Sequence, residues 1–475
     1  MLMKNLFNYI FISAISISLW SCVPTLQQTN YKYPNLPTEY TETTQDTNNI
    51  SNWNTNVFFA DSLLKNLIQI GLDNNPDLQN AYLQIEIAKN NYEQAKASRL
   101  PEITVGVAPS LRRFGLHTMD GAGNITTEIK PDELIPIHLP DFYVGFSASW
   151  EVDFLAKLKK SKQAAQLRLL SSVQAINWLK SNLVAEIAKN YYELVALDAE
   201  SEILKNNIKL QENILEVLKI QKEAAQINIL AIQQFQAQIL ENRAIIAEIE
   251  QMKNLLENNI NFLLQRYPQS ISRSSTLTIN NLAIQAGIPS QLLANRPDIK
   301  AAELELLATR FDLSAAKKAF FPSINFNLNM GLQAFEASLL TNPNSWAYGL
   351  FSSITQPILN RKLIKTNYQI AHINQQQALL DYQKAIFNSF YEVFEQMKYL
   401  QNLEQIYSLR SEQTIVLEDA IKTTNLLFQA NRVNYLDILF LQQNILEAQL
   451  AMNRLKKEQL IALIYLYKAL GGGWQ

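Results

Sequence analysis

The sequence predicts a mainly α-helical chain with a smaller β part: long coiled-coil hairpins joined to four strands of the kind that build a membrane barrel. Two segments, 146–267 and 358–470, contain neither Gly nor Pro. Ahead of them lie short stretches in which apolar and polar residues alternate. A gapless internal match relates the two halves of the chain, so each half should contain the same elements.

The two breaker-free segments are far longer than the usual helix of about 12 residues. Most of their residues are helix formers, and apolar residues recur at spacings of three and four, which is typical of coiled coils. Polar breaks, AAQINI at 224–229 and QANRVN at 429–434, divide the segments, and Asn tolerates the left-handed conformation of a tight turn. Each segment is therefore predicted to form a helix of about 70 residues, a turn and a shorter return helix.

Four stretches have the period of two that a half-buried strand shows. SINFNLNMGLQ (323–333) and YVGFSASWEVD (143–153) alternate clearly, whereas ITVGVAPSLR (103–112) and WAYGLFSSITQ (346–356) alternate less regularly. About ten residues of apolar-out, polar-in alternation suit a transmembrane barrel. A soluble sheet with one face on a core is the alternative.

Four strands cannot close a barrel, because the smallest bacterial barrels use eight. Open edges in lipid cost several kcal/mol for each unpaired backbone group. If these strands enter a membrane, several chains must therefore share one wall: two chains would supply eight strands and three would supply twelve. An interior lined with Asn, Ser and Gln would hold water.

The internal match aligns residues 75–103 with 296–324 at an offset of 221 residues. NILAI at 228–232 and NYLDI at 434–438 repeat the start of the return helix. Each half is thus predicted to run helix, strand, loop, strand, long helix, return helix. The predicted repeats cover 58–270 and 291–475 and are joined by a connector. That connector spans 271–290.

The N-terminus predicts export and a lipid anchor. Residues 1–21 combine a positive charge with an apolar stretch too short for a spanning helix, as in a signal peptide. The sequence LWSC ends in Cys22, the single cysteine of the chain, and is similar to a lipobox. Cleavage before Cys22 and lipidation of its sulfur would leave a polar, flexible tether over 22–57. A signal peptide with an incidental cysteine is the alternative.

Composition excludes several classes of function. One cysteine cannot form an internal disulfide or a multi-cysteine zinc site, and only three histidines are present. A formal net charge of −2 argues against binding to nucleic acid. No nucleophile–base set stands out, so the sequence predicts no catalytic residue, no cofactor and no metal site.

Several motifs, in order, resemble the TolC superfamily of outer-membrane efflux proteins, in particular its lipoprotein branch that serves resistance-nodulation-division pumps. The motifs are NPDL (75–78), WEVDF (150–154), YYELVALDAE (191–200), NRPDIKAAE (295–303) and LYKALGGGW (466–474). The resemblance covers nearly everything after the tether. No single motif is decisive, but their order and spacing together are specific.

The resemblance implies a homotrimer, with a twelve-stranded barrel in the outer membrane and an α-helical tunnel across the periplasm. It implies contact with outer-membrane lipid, a periplasmic membrane-fusion adaptor and an inner-membrane pump that supplies the energy. The chain would then conduct drugs or other small molecules passively. A conduit for type I protein secretion or for metal-ion efflux is the alternative within this class. An enzyme lacks a residue set, and a purely structural coiled-coil lipoprotein leaves the strands unexplained.

The resemblance also implies a gate at the periplasmic tip, formed by side chains near the start of the last helix. Asp437 matches one of two acidic family positions, and Phe440 takes the place of the other. Three copies of Asp437 would form an anionic ring and Phe440 an apolar collar, with Arg432 and Tyr435 tying neighbouring helices. Alternatively, Asp437 only marks the helix start and Phe440 belongs to a coiled-coil core.

The chain departs from the family pattern where the long helices begin and turn. The family often has Gly after the first strand pair and at the turns, whereas Ala156, Arg361–Lys362, Ala225 and Ala430 occupy or adjoin these places here. We therefore expect helix entry and turn shape to differ from those of the family.

Overall fold

The computed structural model describes residues 23–24, 37, 39–40, 54–224, 227–275, 277, 287–356, 361–430 and 432–474. The chain divides into two compact units. The first contains Ile87–Leu169 and Leu304–Leu379, and the second contains Tyr31–Glu86, Leu170–Glu303 and Leu380–Gln475. Each unit draws on both sequence repeats, so the duplication does not produce one compact unit per repeat.

The first repeat opens with three helices and a strand. They are α1 (Thr55–Phe58), α2 (Ser62–Asn74), α3 (Pro76–Ala97) and β1 (Glu102–Arg112). Polar caps explain where the helices start. The side chains of Asn54, Asp61 and Asn75 each accept backbone N–H groups from the first turn that follows. Proline is tolerated at the first position of α3, because the backbone N–H that it lacks would have no partner within the helix.

A structured connection leads to the next strand. It contains α4 (Met119–Asn124), β2 (Glu128–Lys130) and β3 (Glu133–Leu134), and it is followed by β4 (Leu139–Val152). β4 begins four residues before the predicted stretch. The sequence hid this start because Pro140 is unusual inside a sheet, but residues 139–141 pair only with β1, so Pro140 lies where no second neighbour needs its N–H.

The long helices have the predicted form. α5 (Lys157–Glu223) has 67 residues and α6 (Ile229–Leu263) has 35. The second repeat follows with α7 (Leu292–Asn295), α8 (Pro297–Lys318), β5 (Ser323–Ala334), β6 (Trp346–Thr355), α9 (Arg361–Gln429) and α10 (Tyr435–Ala469).

Corresponding elements of the two halves have matching lengths. α3 and α8 both have 22 residues, α6 and α10 both have 35, and α9 has 69 against the 67 of α5. Asn228 and Asn434 cap the return helices in the same way, each accepting the N–H of the residue two positions on. In the parts of the chain that the structure describes, no helix is apolar over a length that could cross a bilayer.

The core of the second unit joins residues distant in sequence. Leu64, Ile187 and Leu466 are fully buried there, and burying such side chains stabilises by about 1.5–3 kcal/mol each. Phe58 stacks on the Tyr467 ring with centroids 4.0 Å apart. These contacts fix the start of α2 against the end of α10.

The sequence predicts a flexible tether over 22–57, but the structure shows one residue of it, Tyr40, packed against the core. Tyr40 is buried and stacks on the Phe390 ring with centroids 5.5 Å apart. One aromatic residue therefore fastens the segment to the core of the second unit. The signal was one tyrosine in a polar stretch, which periodicity cannot detect.

The entry to α5 has an unusual backbone. Ala156 has φ +59°, in the left-handed region. The Asp153 carboxylate accepts the N–H groups of Leu158 and Lys159 at 2.9 and 2.7 Å, which fixes the first turn and forces the chain through this bend. The predicted departure from the family at this position thus coincides with local strain.

Replacing Ala156 by Gly should stabilise the protein by about 0.5–1 kcal/mol, because Gly adopts positive φ without a Cβ clash. The thermal unfolding midpoint, followed by circular dichroism in detergent, should rise. Ala165→Gly in the interior of α5 is the control and should lower that midpoint. An equal effect of both substitutions would contradict the account.

Candidate functional site

The four long strands form one antiparallel sheet in the order β1-β4-β5-β6. Directly opposite residues share a face, so the register assigns each side chain to one side. Among the strands that the structure describes, β1 and β6 each have a neighbour on one side only. The sheet therefore has two open edges.

One side of the sheet, called here the apolar face, carries nearly all its large hydrophobic residues. They are Ile103, Val105, Val107 and Leu111 on β1, Val144, Phe146, Trp150 and Val152 on β4, Ile324, Phe326, Leu328, Met330 and Leu332 on β5, and Trp346, Tyr348, Leu350 and Ile354 on β6. The seven on the edge strands other than Trp346 are each at least 66% exposed. So large an exposed patch needs an apolar partner.

The opposite side, called here the polar face, carries small and polar residues. They are Glu102, Thr104, Gly106, Ala108, Ser110 and Arg112 on β1, Asp141, Tyr143, Gly145, Ser147, Ser149 and Glu151 on β4, Ser323, Asn325, Asn327, Asn329, Gly331 and Gln333 on β5, and Ala347, Gly349, Phe351, Ser353 and Thr355 on β6. The apolar Leu139, at the end of β4 opposite Arg112, also lies on this side. Hydrogen bonds cross it: Ser147 Oγ lies 2.7 Å from Asn329 Oδ1, and the Gln333 amide donates to Asp141 at 2.9 Å. This face suits contact with water.

Charge on the polar face is confined to its two ends. Glu102 and Glu151 lie at the end next to α5, where Glu151 pairs with Lys157 at 2.6 Å. Arg112 and Asp141 lie at the other end, 3.7 Å apart. Between these ends the four strands carry no charged residue on this face. The middle of the polar face therefore offers hydrogen bonds without a strong field.

The residues predicted to form a gate lie together at the start of α10. Asn434 caps the helix, and Asp437 Oδ2 accepts the Asn434 N–H at 2.9 Å, which completes a capping box. Tyr435 packs against the apolar cluster between α5 and α6. Phe440 is 67% exposed, so it is not core within one copy of the chain. Arg432 is exposed, and its backbone N–H donates to Leu427 O.

The structure thus gives Asp437 a local role that does not depend on gating. Its carboxylate completes the cap at the helix start, which agrees with the alternative interpretation for Asp437. Phe440 is exposed in one copy of the chain. Gating by Asp437, Phe440, Arg432 and Tyr435 stays a prediction.

A groove of about 660 Å³ lies between α5, α9 and α10, close to the second helix turn. Leu210, Ile421 and Ile445 contribute apolar walls. Gln442 also lines it and is only 8% exposed, and its Oε1 has no hydrogen-bond partner among the described residues. A buried carbonyl without a partner is costly, so the groove suits an apolar occupant that brings a donor.

Charged residues fasten the connector to the helices of the second unit. The Arg273 guanidinium donates to both Asp198 oxygens, and its Nη1 donates to Glu257 at 2.6 Å and to the Ile271 carbonyl at 2.9 Å. Lys253 lies 3.0 Å from Asp198. Burial alone would raise the pKa of Asp198, but hydrogen bonds from Arg273 and Lys253 outweigh it and lower this pKa below 3.8.

Arg296 is a second fastening point that sequence reasoning missed as a site. The side chain is 1% exposed, and it pairs with Asp298 and Glu392 at 2.7 Å each and donates to the Ala469 carbonyl. The guanidinium also lies 4.7 Å from the Trp178 ring. Gly471, with φ +95°, leaves no room for a Cβ because Asn295 O would be 2.7 Å away. The NRPDI motif could be recognised in the sequence, but the burial of its arginine could not be predicted from it.

Two further predictions concern metal binding and lipidation. Within the described ranges, no three His, Cys, Asp or Glu side chains are grouped so that they could hold a metal ion. Cys22 lies outside the described residues, so its lipidation stays a prediction.

A sheet with an exposed apolar face and a polar face, joined in one chain to two long helical hairpins, defines a channel-forming protein of the outer membrane. The comparisons agree. The chain belongs to the outer membrane efflux protein family, whose profile matches residues 67–264 and 288–472. It is an outer-membrane efflux channel, as its resemblance to the TolC superfamily predicted.

Known relatives match over most of their length. The cation efflux system protein CusC of Escherichia coli O6:H1 is 28% identical over 426 residues, covering 89% of this chain and 88% of CusC. The pyoverdine export outer membrane protein OpmQ of Pseudomonas putida is 27% identical, covering 88% of this chain and 87% of OpmQ. A crystal structure of CusC matches with a TM-score of 0.81 at 26% identity, covering 94% and 99% of the two chains.

Replacing Asp198 by Asn should destabilise the protein at neutral pH by about 1.5–3 kcal/mol, because hydrogen bonds to a charged group are lost. A lowered pKa means that the carboxylate stabilises above pH 3.8 and that this stabilisation is lost as the pH falls through the folded value. Unfolding midpoints of the two proteins should therefore converge in acid, as the pH is lowered below 3.8.

The matched control is Glu250→Gln, which removes an exposed partner of Lys253. This substitution should change the free energy of unfolding by no more than about 0.5 kcal/mol, both at neutral pH and in acid. A gap between wild type and Asp198→Asn that is independent of pH would contradict the assignment.

Proposed function

We propose that three copies of this chain form a passive exit duct of a tripartite efflux system. The observation that supports the proposal most directly is the pairing of an exposed apolar face with two open edges in one sheet. Lipid is the partner for the face, and strands of other copies are the partners for the edges. Three copies contribute twelve strands, within the range of bacterial barrels.

The polar face would then line the duct, and the helical hairpins would extend into the periplasm. The duct supplies no energy, so a periplasmic adaptor and an inner-membrane pump complete the system. The groove between α5, α9 and α10 suits a helix of the adaptor. Apolar walls of the groove surround the Gln442 oxygen, which has no hydrogen-bond donor among the described residues.

The lipid anchor belongs to the same proposal. Acylated Cys22 would hold each copy to the outer membrane, and Tyr40 would fasten the tether to the core. Mass spectrometry of the mature N-terminus tests this part, and an unmodified Cys22 would contradict it without affecting the duct.

Metal-ion efflux is the second candidate function, since CusC is named a cation efflux protein. Export of an organic molecule is also represented among the relatives, because OpmQ is named for pyoverdine export. Under either version, the partner pump would make the main selection of cargo. Type I protein secretion remains an alternative that no observation favours.

Leu350→Arg should prevent assembly in the outer membrane, because a charge on the apolar face costs about 2–4 kcal/mol at mid-depth in each copy. Ser353→Arg, on the polar face of the same strand, is the matched control and should still assemble. Heat-modifiable trimers on gels and the mass of detergent-extracted particles measure the result. Equal assembly of both variants, or a monomeric wild type that conducts no ions, would refute the proposal.

The gate is tested separately, with variants that spare the helix cap. Asp437→Asn keeps the capping oxygen but removes the charge, so reconstituted channels should lose cation preference. Combining it with Phe440→Ala should raise single-channel conductance in planar bilayers, since the apolar collar is gone. Glu447→Ala, farther along α10, is the control. Unchanged selectivity and conductance in the double variant would show that these residues do not form the constriction.

A further inference from the structure

The alternation of the sheet is reversed at two neighbouring residues of β6. On β6, Phe351 lies on the polar face opposite Asn327, and the neighbouring Ser352 lies on the apolar face opposite Phe326. Phe351 is 61% exposed. An apolar ring on the polar face and a hydroxyl on the apolar one is the reverse of what burial in lipid favours, so local packing in the membrane does not explain it.

The ring of Phe351 lies beside Gly349 of the same strand. A Cβ placed on Gly349 would meet Phe351 Cε2 at 2.9 Å and Cζ at 3.2 Å, so the glycine makes room for the ring. Tyr143 does the same on β4: its hydroxyl would lie 2.5 Å from a Cβ on Gly145 and is 3.3 Å from the Phe146 carbonyl. Both side chains therefore lie over a glycine of their own strand on the polar face, where Phe351 is exposed and Tyr143 is half-buried.

The two rings flank the middle of the polar face. Gly106, Gly145 and Gly331 are directly opposite one another across three strands, and Ala347 continues that row on β6. Tyr143 lies next to Gly145 of this row, and Phe351 lies next to Gly349 of the adjacent row. Their strands are two spacings, or about 10 Å, apart. The rings are thus the large π surfaces in a region of glycine, alanine, hydroxyl and amide groups.

We propose that Phe351 and Tyr143 are cargo-contacting residues that favour aromatic organic solutes during passage. This inference rests on the proposed function, in which the polar face lines the duct. A flat solute gains stacking contact with an exposed ring, which amide and hydroxyl groups supply less well. The middle of the polar face carries no charge, so it repels neither cations nor anions.

The same face is poorly suited to soft metal ions. None of the strand residues on the polar face is His, Cys or Met, the ligands that such ions prefer, and Met330 lies on the apolar face. Between the two cargo classes that the relatives suggest, the wall chemistry favours organic molecules.

Ion-current block in planar bilayers tests the inference with two probes of equal charge. Ethidium is a planar aromatic cation, and tetrabutylammonium is a cation without a ring. In Phe351→Ser trimers, the dwell time of ethidium should fall about three- to tenfold, the loss expected for one stacking contact, while tetrabutylammonium dwell times stay unchanged. Tyr143→Leu should act in the same direction.

Tyr348→Ser is the matched control, because Tyr348 is an exposed aromatic of the same strand on the apolar face. It should leave both dwell times unchanged. If Phe351→Ser fails to form trimers, Phe351→Leu keeps the apolar volume without the ring and carries the same expectation.

Equal ethidium dwell times in conducting wild-type and Phe351 variant trimers would overturn the inference and leave the duct intact. A parallel fall for tetrabutylammonium would also overturn it, since that result means a change of pore shape. Wild-type trimers that conduct no ions would overturn the proposed function and this inference with it.

Discussion

Backbone hydrogen bonding at the two edges of the sheet is the constraint on which the structure depends. β1 and β6 present unpaired N–H and C=O groups beside side chains that need an apolar solvent. Water satisfies the edges but not the face, and lipid satisfies the face but not the edges. A closed wall shared by several copies, as proposed above, would meet both requirements. The polar face, with its glycines and amides, would then enclose water.

The helices show a related incompleteness. On α9, buried residues end at Leu403, and beyond it Leu409, Val416 and Leu426 are exposed. The second hairpin is thus loosely packed near its turn, where the groove with Gln442 lies. Long coiled coils bury a stripe against each neighbour, so an exposed stripe indicates further helices. Strands and helices both have surfaces that one copy of the chain leaves uncovered.

Periodicity sufficed for the elements and not for the contacts between them. Breaker-free segments predicted the long helices, and the match between the halves predicted their repetition. The start of β4 was hidden by Pro140, because propensity cannot show that one neighbour is missing there. The sequence located Asp437 at a helix start, but it left open whether the residue caps the helix or forms a gate. Arg296, Asp198 and Tyr40 became meaningful only when distant partners met, and Phe351 was visible as an exception only once the register was known.

The buried Leu470 and the close approach of Gly471 to Asn295 have a consequence for biogenesis. The core of the second unit contains residues from Tyr40 to Leu470, so a nascent chain that has emerged only as far as α9 cannot complete it. Its long amphipathic helices must wait, with apolar stripes uncovered, until translocation has delivered α10. A polypeptide with uncovered apolar surface is prone to aggregate, and folding of the second unit would be completed at the end of export rather than at its beginning.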